Sequence, residues 1–221
     1  MQMVNGRVSV VEGAGLESVA VDVEAFALLR ALEAAGLMPA AGQATVVMDM
    51  GATYTDLNIV VGSEVAVTRS IPIGGNALTG SLASVLNVPI EEAEEQKRLI
   101  DISPQPRDDA GDFGARPAPD PGRQVALPFV DELIRELRRS IIYFQSQAAE
   151  AGLAVGVEHL VLTGGGTQLM GLPDYLAERL GIDVSLLDPF LAGSAGPAAS
   201  QWRGRGCELA VATGLALKEY N

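Results

Sequence analysis

Val46-Val47-Met48-Asp49-Met50-Gly51-Ala52-Thr53-Tyr54-Thr55-Asp56-Leu57-Asn58-Ile59-Val60-Val61 is the stretch on which the fold turns. A β-branched run delivers a carboxylate at its end, turns on a glycine and small hydroxyl residues, and resumes as a second alternating strand. Gly51 allows the backbone to come close to an anionic ligand. The amides and hydroxyls of Gly51, Ala52 and Thr53 are suited to donate to phosphate oxygens, and Asp49 is placed to hold Mg²⁺, through water. A plain tight turn between two strands would look the same in isolation.

A second element lies downstream. His159-Leu160-Val161-Leu162 reads as a short buried strand, followed by Thr163-Gly164-Gly165-Gly166-Thr167-Gln168-Leu169 and a helix opened by Pro173 and closed by Gly181. Three successive glycines suit a flat ligand lying against bare backbone. A flexible linker would also be glycine-rich, but linkers do not sit between a strand and a capped helix.

In order and approximate separation these two motifs resemble the actin, sugar-kinase and Hsp70 superfamily. There the first cradles the β- and γ-phosphates of ATP and the second lies against the adenosine. Within it the chain looks most like the type IV pilus assembly PilM family. Ala20 to Arg30 resembles that family's interdomain helix, and Arg69-Ser70-Ile71-Pro72-Ile73-Gly74-Gly75-Asn76 its strand and loop after the phosphate hairpin. Glu92 to Lys97, Glu136 to Phe144 and the glycine-rich loop follow in the family's order. The cell-division protein FtsA shares most of these features and stands as the near alternative.

The resemblance implies an α/β, actin-like (ribonuclease H-like) nucleotide-binding domain with a small inserted subdomain. It implies ATP and Mg²⁺ as cofactors. Asp49, Gly51, Ala52 and Thr53 would face the phosphates, Gly74 and Gly75 in the following loop would also contact the nucleotide, Lys97 would face the ribose or adenine, Glu136 and Arg139 the nucleoside edge, and Gly164, Gly165, Gly166 and Leu169 the adenosine. On the residues alone, Lys97 is a surface lysine, and Glu136 with Arg139 an i, i+3 surface ion pair. Glu24 matches the position of a catalytic glutamate in some actin-like filament proteins, while a solvated helix-start glutamate is its plain reading.

The likeness also implies a cytoplasmic scaffold at the inner membrane face, docking a membrane pilus protein of PilN type mainly through the first actin-like half. No strand, glycine-serine turn and further strand precede Gly15, and Met1 to Gly13 offers at most one short strand. The N-terminal half is therefore expected to be incomplete. Residues 1–40 would be its remnant with the interdomain helix, and 41–221 the second half, with a small subdomain at about 75–146 and a mobile loop at 104–124. Half of the cleft would be missing and nucleotide affinity reduced. An exposed interdomain face bearing Phe26 and Leu29 would favour self-association. A phosphotransferase or phosphatase of the superfamily, which would need a catalytic aspartate near the place of Asp22, and a filament-forming division or partition protein are the other readings. No cluster of Asn, Trp and charged residues around Asp22 suggests a sugar pocket.

Composition narrows the choice. At 221 residues and 48% hydrophobic the chain can bury a sizeable core. With 15 Lys and Arg against 28 Asp and Glu, its formal charge of −13 argues against nucleic acid and anionic lipid. The uncharged run from Ser70 to Ile90 is broken by Pro72, Gly74, Gly75, Asn76, Gly80 and Pro89, so no direct membrane insertion is expected. Cys207 is the only cysteine, which removes an intrachain disulfide and a zinc cluster. The lone His159 lacks a Ser or Cys partner pattern and reads as a surface or capping residue.

Between the motifs, Val21 to Glu33 reads as a helix and Ala44–Met50, Tyr54–Val61 and Glu64–Ile73 as a three-strand meander. Asn76–Leu86 and Ile90–Leu99 suggest two helices, the glutamates of the second serving its dipole. Pro104 to Gln124, with five prolines and three glycines, reads as the loop. Phe129, Leu133, Leu137, Ile141, Phe144 and Ala148 then recur at helical spacing. Asp183–Leu187 suggests a strand, Leu191–Arg205 a loop, and Glu208–Tyr220 a last helix with Ala210, Thr213 and Gly214 small enough for close packing. The sheet should carry helices on both faces.

Overall fold

The computed structural model describes residues 2–105, 120–190, 202 and 204–218. Strands β1 (Gln43–Met50), β2 (Thr55–Val61) and β3 (Glu64–Ile71) form the antiparallel meander, and β4 (Gly156–Thr163) and β5 (Asp183–Leu186) add in parallel beside β1. The resulting order is β3-β2-β1-β4-β5. Helices α1 (Gln2–Gly13), α2 (Glu24–Ala34), α3 (Gly75–Leu86), α4 (Ile90–Lys97), α5 (Pro121–Glu150), α6 (Leu172–Leu180) and α7 (Ala210–Ala216) complete it.

Alternation along β1 divides the core. Val46, Met48 and Met50 point to one side, where Leu82, Ala93, Leu133, Leu137 and Leu176 from α3, α4, α5 and α6 cover them. Val47 points to the other, packing with Val60, Val161 and with Leu28, Leu32 and Ala210 from α2 and α7. Helices therefore cover both faces, as the period-two pattern of a doubly buried sheet requires. The helices between 75 and 150 share their apolar residues with the sheet in one cluster.

The α2–α7 contact is set by one glycine. A Cβ on Gly214 would fall 1.8 Å from the Ala27 carbonyl oxygen. Arg30 locks the same spot, donating from Nε to the Gly214 carbonyl (2.8 Å) and from a terminal nitrogen to Asp22 (2.7 Å), which also meets Lys218 at 3.1 Å. The Val23 amide, then Arg30 and Lys218, hold the Asp22 carboxyl down at about 2, so Asp22 is engaged in this clasp. Gly214→Ala is expected to cost about 1–3 kcal/mol by forcing the helices apart. Gly80→Ala, with open space at its Cβ, should stabilise by a few tenths to about 1 kcal/mol. Urea denaturation of the two variants checks the contrast.

Several expectations change. Residues 2–13 form a helix rather than a short strand, and Arg7 links it to Glu24 at 3.2 Å. The expected loop ends earlier, since Asp120 caps α5 through the Gly122 amide (2.9 Å) and Pro121 opens it. The rest of that loop, 106–119, lies outside the described residues, as does most of the expected loop at 191–205. The last helix is shorter at its start, where Gly206–Leu209 form a 3-10 turn. The reading of His159 as no member of a triad is not altered by its contact with Ser185 Oγ on β5 at 2.9 Å, a pair set by the parallel registry of β4 and β5.

Candidate functional site

Parallel β1 and β4 end together at Asp49 and Thr163, and the crevice beyond such carboxyl ends is where α/β sheets place ligands. A cavity of about 820 Å³ opens there. The hairpin turn forms one wall: the Gly51 amide donates to the Tyr54 carbonyl (3.0 Å), closing it. The start of α3 then clamps the turn, with the Gly75 and Asn76 amides donating to the Gly51 and Ala52 carbonyls at 3.0 and 2.8 Å. A Cβ on Gly74 would lie 2.6 Å from the Thr53 carbonyl carbon, so only glycine permits this approach. These bonds occupy the amides of Gly51, Gly75 and Asn76, leaving those of Ala52 and Thr53 without a backbone acceptor among the described residues.

The glycine loop forms the opposite wall. Gly164 has φ 83 and ψ 173, a region that side chains do not tolerate. Its Cβ would fall 2.3 Å from Asp49 Oδ1, and that of Gly166 2.6 Å from Met50 Cβ. Gly165, by contrast, has open space. Thr163 Oγ1 and the Gly164 amide both donate to the Cys207 carbonyl, at 2.8 and 3.0 Å, tying this loop to the turn before α7.

Asp49 lies between the walls. Burial, then the charges of Asp56 across the hairpin and of Glu24, raises its pKa to about 6. Among the described residues no hydrogen bond or ion pair neutralises it. Lys97 reaches in from α4, held by Glu94 (2.6 Å), Thr79 Oγ1 (2.9 Å) and the Gly75 carbonyl (3.5 Å).

Asp49, Gly51, Ala52, Gly74, Gly75, Lys97, Gly164, Gly165, Gly166 and Leu169 all line the cavity. Thr53 is exposed at the turn tip and stands outside the lining; the hydroxyl residue on the wall is Thr55, whose Oγ1 donates to the Ile73 carbonyl (2.7 Å). Glu136 and Arg139 also stand outside it. They sit two to three turns along α5 from Phe129, which does line the cavity, and Glu136 is drawn to Arg69 of β3 as well as to Arg139 (2.5 Å). Glu24 is outside too, paired with Arg7.

Sequence reasoning missed Met50, Asn76, Phe129, Gln168, Arg205 and Glu208 on the lining. It also read Glu94 as a solvated dipole residue, whereas Glu94 bridges Lys97 and Thr79.

The sequence profile of the family described as type IV pilus assembly protein PilM matches residues 1–220. The chain belongs to the PilM family. The PilM–PilN type IV pilus biogenesis complex superposes with a TM-score of 0.75 at 31% identity, covering 97% of this chain and 56% of that one. The cell division protein FtsA of Agrobacterium fabrum is 27% identical over 158 residues, 64% of this chain and 34% of that protein. MreB 5 of Spiroplasma citri bound to AMPPNP matches at TM-score 0.59 and 19% identity, over 96% of this chain and 62% of that one. The last likeness concerns the actin-like fold alone. This PilM-family chain spans about a third of the curated FtsA and a little over half of the PilM structure.

Proposed function

We propose that the cavity binds Mg-ATP and that the chain is the nucleotide-binding part of an actin-like scaffold in type IV pilus assembly. The observation that carries this reading is the pair of bare backbone walls meeting at an unneutralised carboxylate, with Lys97 beside them. A volume of about 820 Å³ suits a nucleotide. Among the described residues no group of three His, Cys, Asp or Glu could hold a metal unaided. Mg²⁺ would be held through Asp49, waters and the ligand's phosphates, as that ion commonly is.

In this reading the Ala52 amide faces the phosphates, Asp49 would hold the metal through water, and Lys97 with Glu94 faces the sugar. Gly164 to Gly166 and Leu169 form the flat wall. Bound Mg²⁺ supplies the charge that neutralises the phosphates. Glu24 pairs with Arg7 at the surface, and the reading is of a scaffold with slow or absent hydrolysis.

The partner is a membrane pilus protein of PilN type, which would hold the scaffold at the cytoplasmic face of the inner membrane. Family membership supports it, and a relative's structure is that of a PilM–PilN complex. Among the described residues no helix is long and apolar enough to cross a membrane. Calorimetry with Mg-ATP and a steady-state assay test the reading together: binding is expected, with turnover below about 0.1 s⁻¹ against a median enzyme value of about 10 s⁻¹. Turnover near that median would make the chain an enzyme, and absence of binding would remove the nucleotide role.

A further inference from the structure

Three polar residues on the cavity lining, Gln168, Arg205 and Glu208, lie outside the groups given to phosphate, metal and sugar. They come from two separate turns. Gln168 ends the 3-10 turn Gly165–Gln168 that follows Gly164, while Glu208 lies in the turn Gly206–Leu209 before α7, with Arg205 just ahead of it. The Cys207 carbonyl accepts from Thr163 Oγ1 and from the Gly164 amide, so the backbone itself holds the two turns together. Glu208 then takes donors from both sides. One is Gln168 Nε2, and the other is Arg205, whose Nε and one terminal nitrogen reach the carboxylate at 3.2 and 2.8 Å.

This arrangement gives the cavity rim a polarity. A primary amide presents an acceptor on one side and donors on the other, and at the end of a flexible side chain either could face a ligand. Glu208 removes that choice, because an ionised carboxylate only accepts. The bond from Arg205, against burial, and then the Arg205 charge, the bond from Gln168 and the charge of Arg98 hold its carboxyl below the usual range, so it is ionised at neutral pH. Gln168 must turn Nε2 to Glu208. Its Oε1 is left with no partner among the described residues, and so is the second hydrogen on Nε2.

The other polar groups of the lining take up the rest of a nucleotide. The hairpin and Asp49 stand at one end, Glu94 and Lys97 beside them, and Arg98 continues from Lys97 to within electrostatic reach of Glu208. We propose, resting on the Mg-ATP reading, that Gln168 reads the base: Oε1 accepts from the exocyclic amino group of adenine, and Nε2 donates to the adjoining ring nitrogen. Such a two-bond pairing is the one that a glutamine amide makes with adenine. Glu208 and Arg205 are positioning residues that hold the amide in this sense. A base with a carbonyl in place of the amine, guanine or hypoxanthine, sets one acceptor against another and is rejected. The flat wall from Gly164 to Gly166 meets any purine alike.

Calorimetry of the full chain with Mg-ATP and with the Mg complex of inosine triphosphate, whose base carries that carbonyl, tests this. The unaltered chain should bind ATP at least about tenfold more tightly than the inosine nucleotide. Gln168→Leu should bring the ratio close to one by weakening ATP. Glu208→Gln gives Gln168 a neighbour that both donates and accepts, so the amide can turn. Its ratio should also approach one, but through tighter binding of the inosine nucleotide, with the circular dichroism of the chain unchanged. A merely structural role for Glu208 would weaken both nucleotides together and keep the ratio. A ratio near one in the unaltered chain, or one that survives either substitution, would overturn the inference and leave the nucleotide site standing. Binding of neither nucleotide would remove that site and the inference with it.

Discussion

Replacing Gly164 with alanine is expected to cost at least about 3 kcal/mol and to abolish nucleotide binding. Two penalties add: a backbone at φ 83 and ψ 173 that only glycine adopts readily, and a methyl group 2.3 Å from Asp49 Oδ1 and 2.7 Å from the Met50 carbonyl oxygen. The loop can relieve that contact only by leaving β1, which would break its bonds to the Cys207 carbonyl. Gly165→Ala provides the contrast, since its Cβ meets open space; its cost should stay within about 1 kcal/mol. Denaturation midpoints and ATP titrations of the two neighbours separate a shaped wall from a merely glycine-rich loop.

Asp49→Asn should move stability and binding in opposite directions. In the folded chain the Asp49 acid keeps its proton up to about pH 6, while in the unfolded chain it loses it near the ordinary value of 3.8. Between those values the folded state binds more protons, so stability falls as pH rises, and above about pH 6 the whole penalty is present. Removing the charge should therefore stabilise the ligand-free chain above pH 6 by about 1–2 kcal/mol, after allowing for solvent that still reaches the carboxylate. Below about pH 4 the two chains should be equally stable. The same substitution removes the group that faces the metal, and Mg-ATP affinity should fall at least tenfold, or about 1.4 kcal/mol.

What the sequence disclosed was local. The hairpin around Gly51 and the wall at Gly164 rest on alternation, a strand-end carboxylate and glycines, features that act within a few residues. Pro173 and Gly181 marked α6 for the same reason, one beside its start and one at a φ of 70 after its end. What it hid depends on the sheet order. Glu136 and Arg69 are 67 positions apart, and no periodicity announces their ion pair. Thr55 rather than Thr53 lines the wall because the turn closes at Tyr54 and pushes Thr53 to the tip. Gln168, Arg205 and Glu208 form one cluster at the rim, yet Gln168 stands 40 positions from Glu208, brought close by the Cys207 carbonyl's two bonds to the glycine loop.

The most direct test of the central claim, that Asp49 and the glycine walls form a Mg-ATP site, is thermal unfolding of the unaltered chain and of Asp49→Asn at about pH 7.5, with and without saturating Mg-ATP. Ligand at about a hundredfold over Kd stabilises by about 2.7 kcal/mol. The unaltered chain should gain several degrees with Mg-ATP and clearly less with ATP alone, while Asp49→Asn should start higher and gain little. Equal gains in both chains, or none in the unaltered one, would contradict the account.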